Sequence, residues 1–202
     1  MADFGRPKKG TDMLQIRIHG RGGQGVVTAA ELLSVAAFLE GKHAQAFPSF
    51  GSERTGAPVV SFCRIDDKEI RLREPVMEPD VLIVQDPTLF KVIDVFQGLK
   101  RDGYLLVNSN KTFAELGLSQ AVAKLPAGHA RVVAASEIAL KHIGRPLPNA
   151  VLLGAFAALS GTVHLRSVVA AIREAFSGKI AEANVAAATE AFEATERAAA
   201  AA

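Results

Sequence analysis

The sequence predicts an α/β chain built as a three-layer sandwich around a mostly parallel sheet, with a β-hairpin near one edge and a helical C-terminal third. Three observations predict it. Apolar runs of strand length alternate with segments of helical spacing. The first strand breaks into four glycines within six positions and restarts at once as a helix. From Pro148 onward the chain holds three helical stretches and no strand pattern.

Taken in order, Leu14 to His19 alternates apolar and polar residues, the pattern of a strand. Val26 to Glu40 then carries Val27, Ala30, Leu33, Val35 and Phe38 near helical spacing, and Gly41 stops it. Ala44 to Phe47 makes a short strand. Pro48 to Pro58 has no period, contains two glycines and two prolines, and forms a loop. Val59 to Ile65 alternates again, Asp66-Asp67 turns the chain, and Glu69 to Leu72 returns it as the second arm of a hairpin. Val81 to Val84 is fully apolar, as in a buried parallel strand. Asp86 caps a helix that starts at Pro87 and runs to about Leu99. Asp102-Gly103 turns into a second buried strand, Tyr104 to Asn108. Residues 113 to 130 form a weaker excursion. Arg131 to Ala135 is the last strand, and Ser136 opens a short helix. Asn149 to Ser160, Leu165 to Phe176 and Glu182 to about Ala199 are the closing helices, the last alanine-rich and with a thin interface face. Residues 13–200 form one domain, preceded by a flexible extension over residues 1–12.

A chain of 202 residues suffices for one well-cored α/β domain, and its 49% apolar content fills the core. With 23 basic and 21 acidic side chains the net charge is only +2, which gives no long-range pull toward nucleic acid. One cysteine, Cys63, excludes an internal disulfide, a Cys-x-x-Cys cluster and a cysteine-based zinc site. No apolar run is long enough to span a membrane and no leader-like segment follows the basic start, so the expected compartment is the cytoplasm.

Gly20-Arg21-Gly22-Gly23-Gln24-Gly25 carries the Gly-x-Gly-x-x-Gly spacing of a Rossmann-like nucleotide loop. A strand that ends in such a loop leaves backbone N–H groups facing open space, which suits a phosphate. Arg21 and Gln24 are placed to reach across it, and a β-branched residue at Gly22 would crowd a close backbone approach. Val26 and Thr28 open the helix, and Thr28 equally serves to satisfy a first-turn amide. The plainer alternative is that the glycines only permit a tight strand-to-helix passage. The acid that holds a ribose in dinucleotide folds is missing from Lys42 to Phe47, and no Gly-Lys-Ser/Thr is present. Both a NAD dehydrogenase and a P-loop are therefore disfavoured.

The second informative stretch is Phe47-Pro-Ser-Phe-Gly-Ser-Glu-Arg-Thr-Gly-Ala-Pro58. Ser49, Ser52, Glu53 and Arg54 form a polar loop that is costly to order without a contact, and Arg54 is suited to grip a phosphate or carboxylate. The alternative is a rigid turn with a local Glu53–Arg54 pair. No nucleophile–base–orienter set and no metal-ligand cluster is assembled anywhere. His19, beside the glycine loop, reads most simply as a donor to a backbone carbonyl. Cys63 reads as a small apolar residue.

Taken together, His19 to Ala29, Ala46 to Arg54 with Gly56-Ala-Pro58, Pro79-Asp-Val81, Asp86-Pro-Thr88, Pro148 to Phe156 and Asn184 resemble the gamma subunit, or gamma domain, of the 2-oxoacid:ferredoxin oxidoreductases, the pyruvate synthase family. The likeness runs from about residue 13 to residue 190. It implies a non-autonomous subunit of a thiamine diphosphate-dependent complex that decarboxylates a 2-oxoacid (pyruvate, or another such as phenylglyoxylate) to an acyl-CoA. It implies alpha and beta partners that hold thiamine diphosphate, and a ferredoxin-like partner that holds [4Fe-4S] clusters. Electrons then pass to ferredoxin, or in some relatives to NAD through a flavin (FAD) subunit. The gamma part, by resemblance, helps form the coenzyme A side of the site, with Gly20 to Thr28 facing the cofactor, Ser49 to Arg54 beside it, and Asn149 and Asn184 as structural hydrogen-bonders. The competing class is a stand-alone Rossmann-like nucleotide-binding module with a regulatory or structural role.

Overall fold

The computed structural model describes residues 13–49 and 55–201. The expected flexible extension over residues 1–12 lies outside the described residues, as do Ser52, Glu53 and Arg54. Six strands, β1 (Leu14–Arg21), β2 (His43–Pro48), β3 (Pro58–Asp66), β4 (Val81–Val84), β5 (Tyr104–Asn108) and β6 (Ala130–Val133), form one sheet in the order β2-β3-β1-β4-β5-β6. β1, β4, β5 and β6 pair in parallel, and only β3 runs against its neighbours β1 and β2. The helices are α1 (Val26–Phe38), α2 (Ser119–Val122), α3 (Ala135–Ile143), α4 (Asn149–Ser160), α5 (Leu165–Ala175) and α6 (Gly178–Ala200). This is the α/β, mostly parallel, Rossmann-like arrangement that the periodicity predicts.

Two expectations about local structure are corrected. The hairpin near the edge is β2–β3, with Ala46 opposite Cys63 and His43 opposite Asp66, and Glu69 to Leu72 forms no strand. The reason is occupancy: β1 and β2 already fill both hydrogen-bonding edges of β3. The helix expected from Pro87 to Leu99 is a short 3-10 turn, Pro87–Lys91, followed by irregular turns. Asp94 accepts the Phe96 amide at 3.1 Å, and Gly98 adopts φ +75° with its Cα pressed against the Met77 carbonyl. Arg17 takes up the carbonyl of Val95, a group that a helix to Leu99 would spend internally, and that of Gln97 beside it.

Both faces of the sheet are buried. Ile16, Ile18, Ile83 and Leu106 lie under α1 and α4, in the larger core with Leu33 and Phe156. Leu82, Val84, Leu105 and Val107 lie under Leu89 and Val95 of the irregular layer. That layer is fastened by two buried arginines. The Arg17 guanidinium donates to the carbonyls of Val76 at 3.4 Å, Val95 at 3.0 Å and Gln97 at 2.5 Å. Arg64, 1% exposed, donates to Glu74 O at 2.7 Å and Gln15 Oε1 at 3.3 Å, and its guanidinium carbon lies 5.2 Å from the centre of the Phe47 ring.

His19 follows Arg17 on the same face, buried, and neither ring nitrogen has a partner among the described residues. The expected bond to a backbone carbonyl does not form. Burial, with the Arg17 charge adding to it, pushes its pKa down to about 4. Cys63 is enclosed, and burial pushes its thiol up to about 12, so it is inert packing.

The alanine-rich α6 packs mainly within the domain. Ala181, Ala187, Ala188 and Ala191 are buried, and α4 approaches so closely that a Cβ on Gly154 would overlap the Ala188 backbone carbonyl. Asn184 donates to Ile180 O at 2.9 Å, the structural role expected of it.

Two predictions follow from this packing. Gly154→Ala destabilises the chain by about 2 kcal/mol or more, measured by denaturant unfolding, because the obstruction is backbone and cannot rotate away. For His19, the unfolded imidazole takes a proton near 6.5 and the folded one only near 4. The unfolded state therefore binds more protons between those values. Stability falls as pH drops through that window, by on the order of 3 kcal/mol in full. His19→Leu flattens that part of the stability–pH curve; a curve unchanged by the substitution refutes the assignment.

Candidate functional site at the carboxyl edge of the sheet

The sheet grows outward from β1 in two directions, toward β3 and β2 on one side and toward β4, β5 and β6 on the other. In open α/β sheets a crevice opens at such a switch point, outside the carboxyl ends of the strands. The glycine loop lies there. The turn after β4 meets it from one side, and the root of the 49–57 loop meets it from the other.

The glycines do different things. A Cβ on Gly20 would stand 2.6 Å from Val26 Cγ2 and 3.2 Å from Gln85 Cβ, so Gly20 is required by packing. Gly25 adopts φ +69°, and a Cβ there would collide with the Asn149 side chain at the start of α4. Gly23, at φ +94°, has nothing within 4 Å of an added Cβ. Gly22 donates to Ala57 O at 2.9 Å and accepts from the Gly56 amide at 3.1 Å. Gly20 and Gly25 are thus crowded positions of the loop, while Gly22 joins the two loops.

Helix α1 begins without a side-chain cap and with no acidic residue in its first turn. The Ala29 amide is the first to find a carbonyl, that of Gly25. The amides of Gly23, Val26, Val27 and Thr28 have no acceptor among the described residues. A capless helix start carries a partial positive charge, and no cap or acidic residue of its own first turn answers it. With open space at Gly23, the arrangement fits a phosphate.

Arg21 and Gln24 are committed to partners within the chain. Gln24 Oε1 accepts the Arg21 amide at 2.8 Å and its Nε2 donates to Asp86 Oδ2 at 3.0 Å. Arg21 Nε lies 3.2 Å from Asp86 Oδ2, its Nη2 donates to Thr88 Oγ1 at 2.8 Å, and its Nη1 donates to Gly56 O at 2.9 Å. Asp86 also caps the 3-10 turn as expected, accepting from the Thr88 amide at 2.9 Å and its hydroxyl at 2.6 Å. Burial works against this carboxylate. The Thr88 bonds, Gln24 and the Arg21 charge outweigh it and hold its pKa below the usual carboxylate range.

Ser49 is exposed at the end of β2, and its amide donates to Val60 O at 2.8 Å. The structure therefore brings Gly20 to Thr28 and both roots of the second loop to one edge. Beside them lies a crevice of about 380 Å3 lined by Thr88, Lys91, Asn108, Ser109, Lys111 and Ser136 among others. Asn108 is held by Gln85 O at 2.7 Å and by both the hydroxyl and amide of Ser136. Sequence reasoning passed over this crevice; its signal was the polar run Asn108 to Lys111 directly after a buried strand. The strand after α1 does not lie beside β1, because antiparallel β3 intervenes. The position of a ribose-binding acid is thereby lost along with the acid. Among the described residues no group of His, Cys, Asp and Glu is placed to hold a metal, and no helix is long and apolar enough to cross a membrane.

The family described as pyruvate ferredoxin/flavodoxin oxidoreductase matches residues 15–194. The chain is 50% identical over 186 residues to the pyruvate/ketoisovalerate oxidoreductases common subunit gamma of Pyrococcus abyssi, covering 91% of this chain and 98% of that one. It is 49% identical over 181 residues to pyruvate synthase subunit PorC of Methanothermobacter marburgensis, covering 90% and 97%. The crystal structure of pyruvate oxidoreductase subunit PORC from Thermotoga maritima superposes with a TM-score of 0.74 at 37% identity, over 90% of this chain and 96% of that one. The chain therefore belongs to the pyruvate ferredoxin/flavodoxin oxidoreductase family, as a gamma subunit of that enzyme complex.

Proposed function

We propose that the loop between β1 and α1 holds a phosphate-bearing arm of coenzyme A in an assembled, thiamine diphosphate-dependent 2-oxoacid oxidoreductase, with pyruvate as the substrate. The observation that carries this reading is the capless, acid-free start of α1, open at Gly23 and set at the switch point of the sheet. Coenzyme A supplies the thiol that receives the acyl group. This chain contributes no attacking atom. The amides of Gly23, Val26, Val27 and Thr28 bind negative charge, Gly20 and Gly25 let the backbone take the required path, and Gln24 and Arg21 hold the loop in place. Ser49 extends the same edge, and Ser52, Glu53 and Arg54 follow it in the sequence, with Arg54 as the cationic contact. One cysteine cannot bind a cluster, so the [4Fe-4S] groups belong to a ferredoxin-like partner and thiamine diphosphate to alpha and beta partners. Ferredoxin is the proposed electron acceptor.

The test uses the assembled complex. Gly23→Asp sets a carboxylate before the bare amides, and Gly23→Asn places a neutral side chain of the same shape there. The aspartate variant raises the coenzyme A KM by roughly tenfold or more, while the asparagine variant stays within about threefold. A shift in thiamine diphosphate dependence instead, or equal effects from both, overturns the reading. Arg54→Ala raises the coenzyme A requirement with assembly intact, checked by steady-state kinetics after size-exclusion chromatography; unchanged kinetics removes Arg54 from the site.

A further inference from the structure

One carboxylate at the switch point makes more bonds than a cap requires. Asp86 Oδ1 accepts the amide and hydroxyl of Thr88, at 2.9 and 2.6 Å. Oδ2 faces the other way, accepts from Gln24 Nε2 at 3.0 Å and lies 3.2 Å from Arg21 Nε as an ion pair, while the Arg21 guanidinium donates to Thr88 Oγ1 through Nε at 3.3 Å and Nη2 at 2.8 Å. From Arg21 the connection continues through Nη1 to Gly56 O at 2.9 Å. The backbone ladder between Gly22 and residues 55–57 closes the ring. Three segments far apart in sequence are thus tied at one point: the glycine loop, the turn after β4 and the root of the 49–57 loop. The Asp86 side chain is 15% exposed and that of Arg21 27%; the Gln24–Asp86 bond is half-buried, and those of Arg21 to Gly56 and Thr88 are open to water.

We propose that Asp86 is a positioning residue whose Oδ2 oxygen, acting through Arg21 and Gln24, fixes the glycine loop against residues 55–57 and thereby sets the affinity of the site for its phosphate-bearing ligand. The ligand part of this inference rests on the coenzyme A reading above. The clamp itself does not. A capping role alone needs only Oδ1 and is served equally by Asn or Ser. The clamp needs a second acceptor. In Asp86→Asn the atom facing Gln24 Nε2 and Arg21 Nε becomes an N–H donor set against donors, and in Asp86→Ser it is absent. Turning the Gln24 amide to suit the asparagine would abandon the Arg21 amide.

The two roles separate by experiment. In the assembled complex, Asp86→Asn and Asp86→Ser are followed by amide hydrogen exchange and by steady-state kinetics. The amides of Gly22 and Gly56 exchange at least about tenfold faster in both variants, while the Thr88 amide keeps its protection. The coenzyme A KM rises roughly tenfold with kcat held within about twofold. Gln24→Met, which cuts the same clamp from the other side, reproduces the change in exchange at Gly22. If Gly22 and Gly56 exchange as in the wild type, Asp86 is a cap and the inference fails whatever the kinetics show. If exchange accelerates and Gly23→Asp raises the coenzyme A KM but the Asp86 variants do not, the link from clamp to affinity fails while the coenzyme A reading stands. If neither Gly23→Asp nor the Asp86 variants move that KM, the coenzyme A reading falls and the affinity clause falls with it.

Discussion

β1 is hydrogen-bonded to an antiparallel neighbour on one side and a parallel neighbour on the other. Everything at the carboxyl edge depends on that. The chain leaves β1 through α1, builds β2 and β3 outward, and returns across the sheet to build β4, β5 and β6. Two excursions in opposite directions leave a gap above the end of β1, and the glycine loop occupies it. Gly20 has no room for a side chain between Val26 and Gln85, and Gly25 has none beneath Asn149. The same crowding that demands glycine at those positions holds the α1 amides at the mouth of the gap. On the coenzyme A reading, packing and anion recognition are one constraint here, imposed by how closely α1 and α4 meet the edge.

The other face of the sheet solves a different problem. No long helix covers it, so the irregular layer over β1, β4 and β5 lacks internal hydrogen bonds for many of its carbonyls. Arg17 and Arg64 supply donors from below, reaching the carbonyls of Glu74, Val76, Val95 and Gln97. A buried guanidinium is costly unless its donors are used, and carbonyls without a helix are costly unless they are met. The carbonyls are met this way, and each guanidinium keeps one buried nitrogen, Arg17 Nε and Arg64 Nη1, without a partner among the described residues. Removing Arg17 would strand three carbonyls at once, and removing Arg64 would strand the Glu74 carbonyl and the Gln15 amide oxygen, heavier losses than one charge suggests.

Much of this was legible in the sequence wherever the determinants are local. The strand periods, the glycine cluster, the Asp86 cap and the closing helices are set by residues within a few positions of one another, and the structure keeps them. Glu69 to Leu72 carries strand-like residues but finds no free edge, which only the sheet order reveals. Leu89, Phe90, Ile93 and Phe96 have near-helical spacing, yet Arg17, some 78 residues away, takes the Val95 carbonyl that a helix would use. At the site, the glycine loop announces itself, whereas Arg21 and Gln24 looked like free ligand contacts. Their commitment to Asp86 depends on contacts spanning 62 residues or more, and no local pattern encodes that.

The energetics of the loop explain why such a chain works only as a subunit. A net charge of +2 gives little steering of a polyanion, so binding must come from short-range groups. A helix start contributes about 0.3–2 kcal/mol toward an anion, and charge-assisted amide bonds about 1.5–3 kcal/mol each before ordering costs are deducted. Association costs of about 4–15 kcal/mol consume most or all of that. On the coenzyme A reading, micromolar binding, about 8 kcal/mol, then needs surfaces that close over the loop from outside the chain. An edge that is preorganised but half-built is what a subunit contributes when catalysis and cofactor retention are divided among several chains. The same division accounts for the absence of a nucleophile–base set from the sequence.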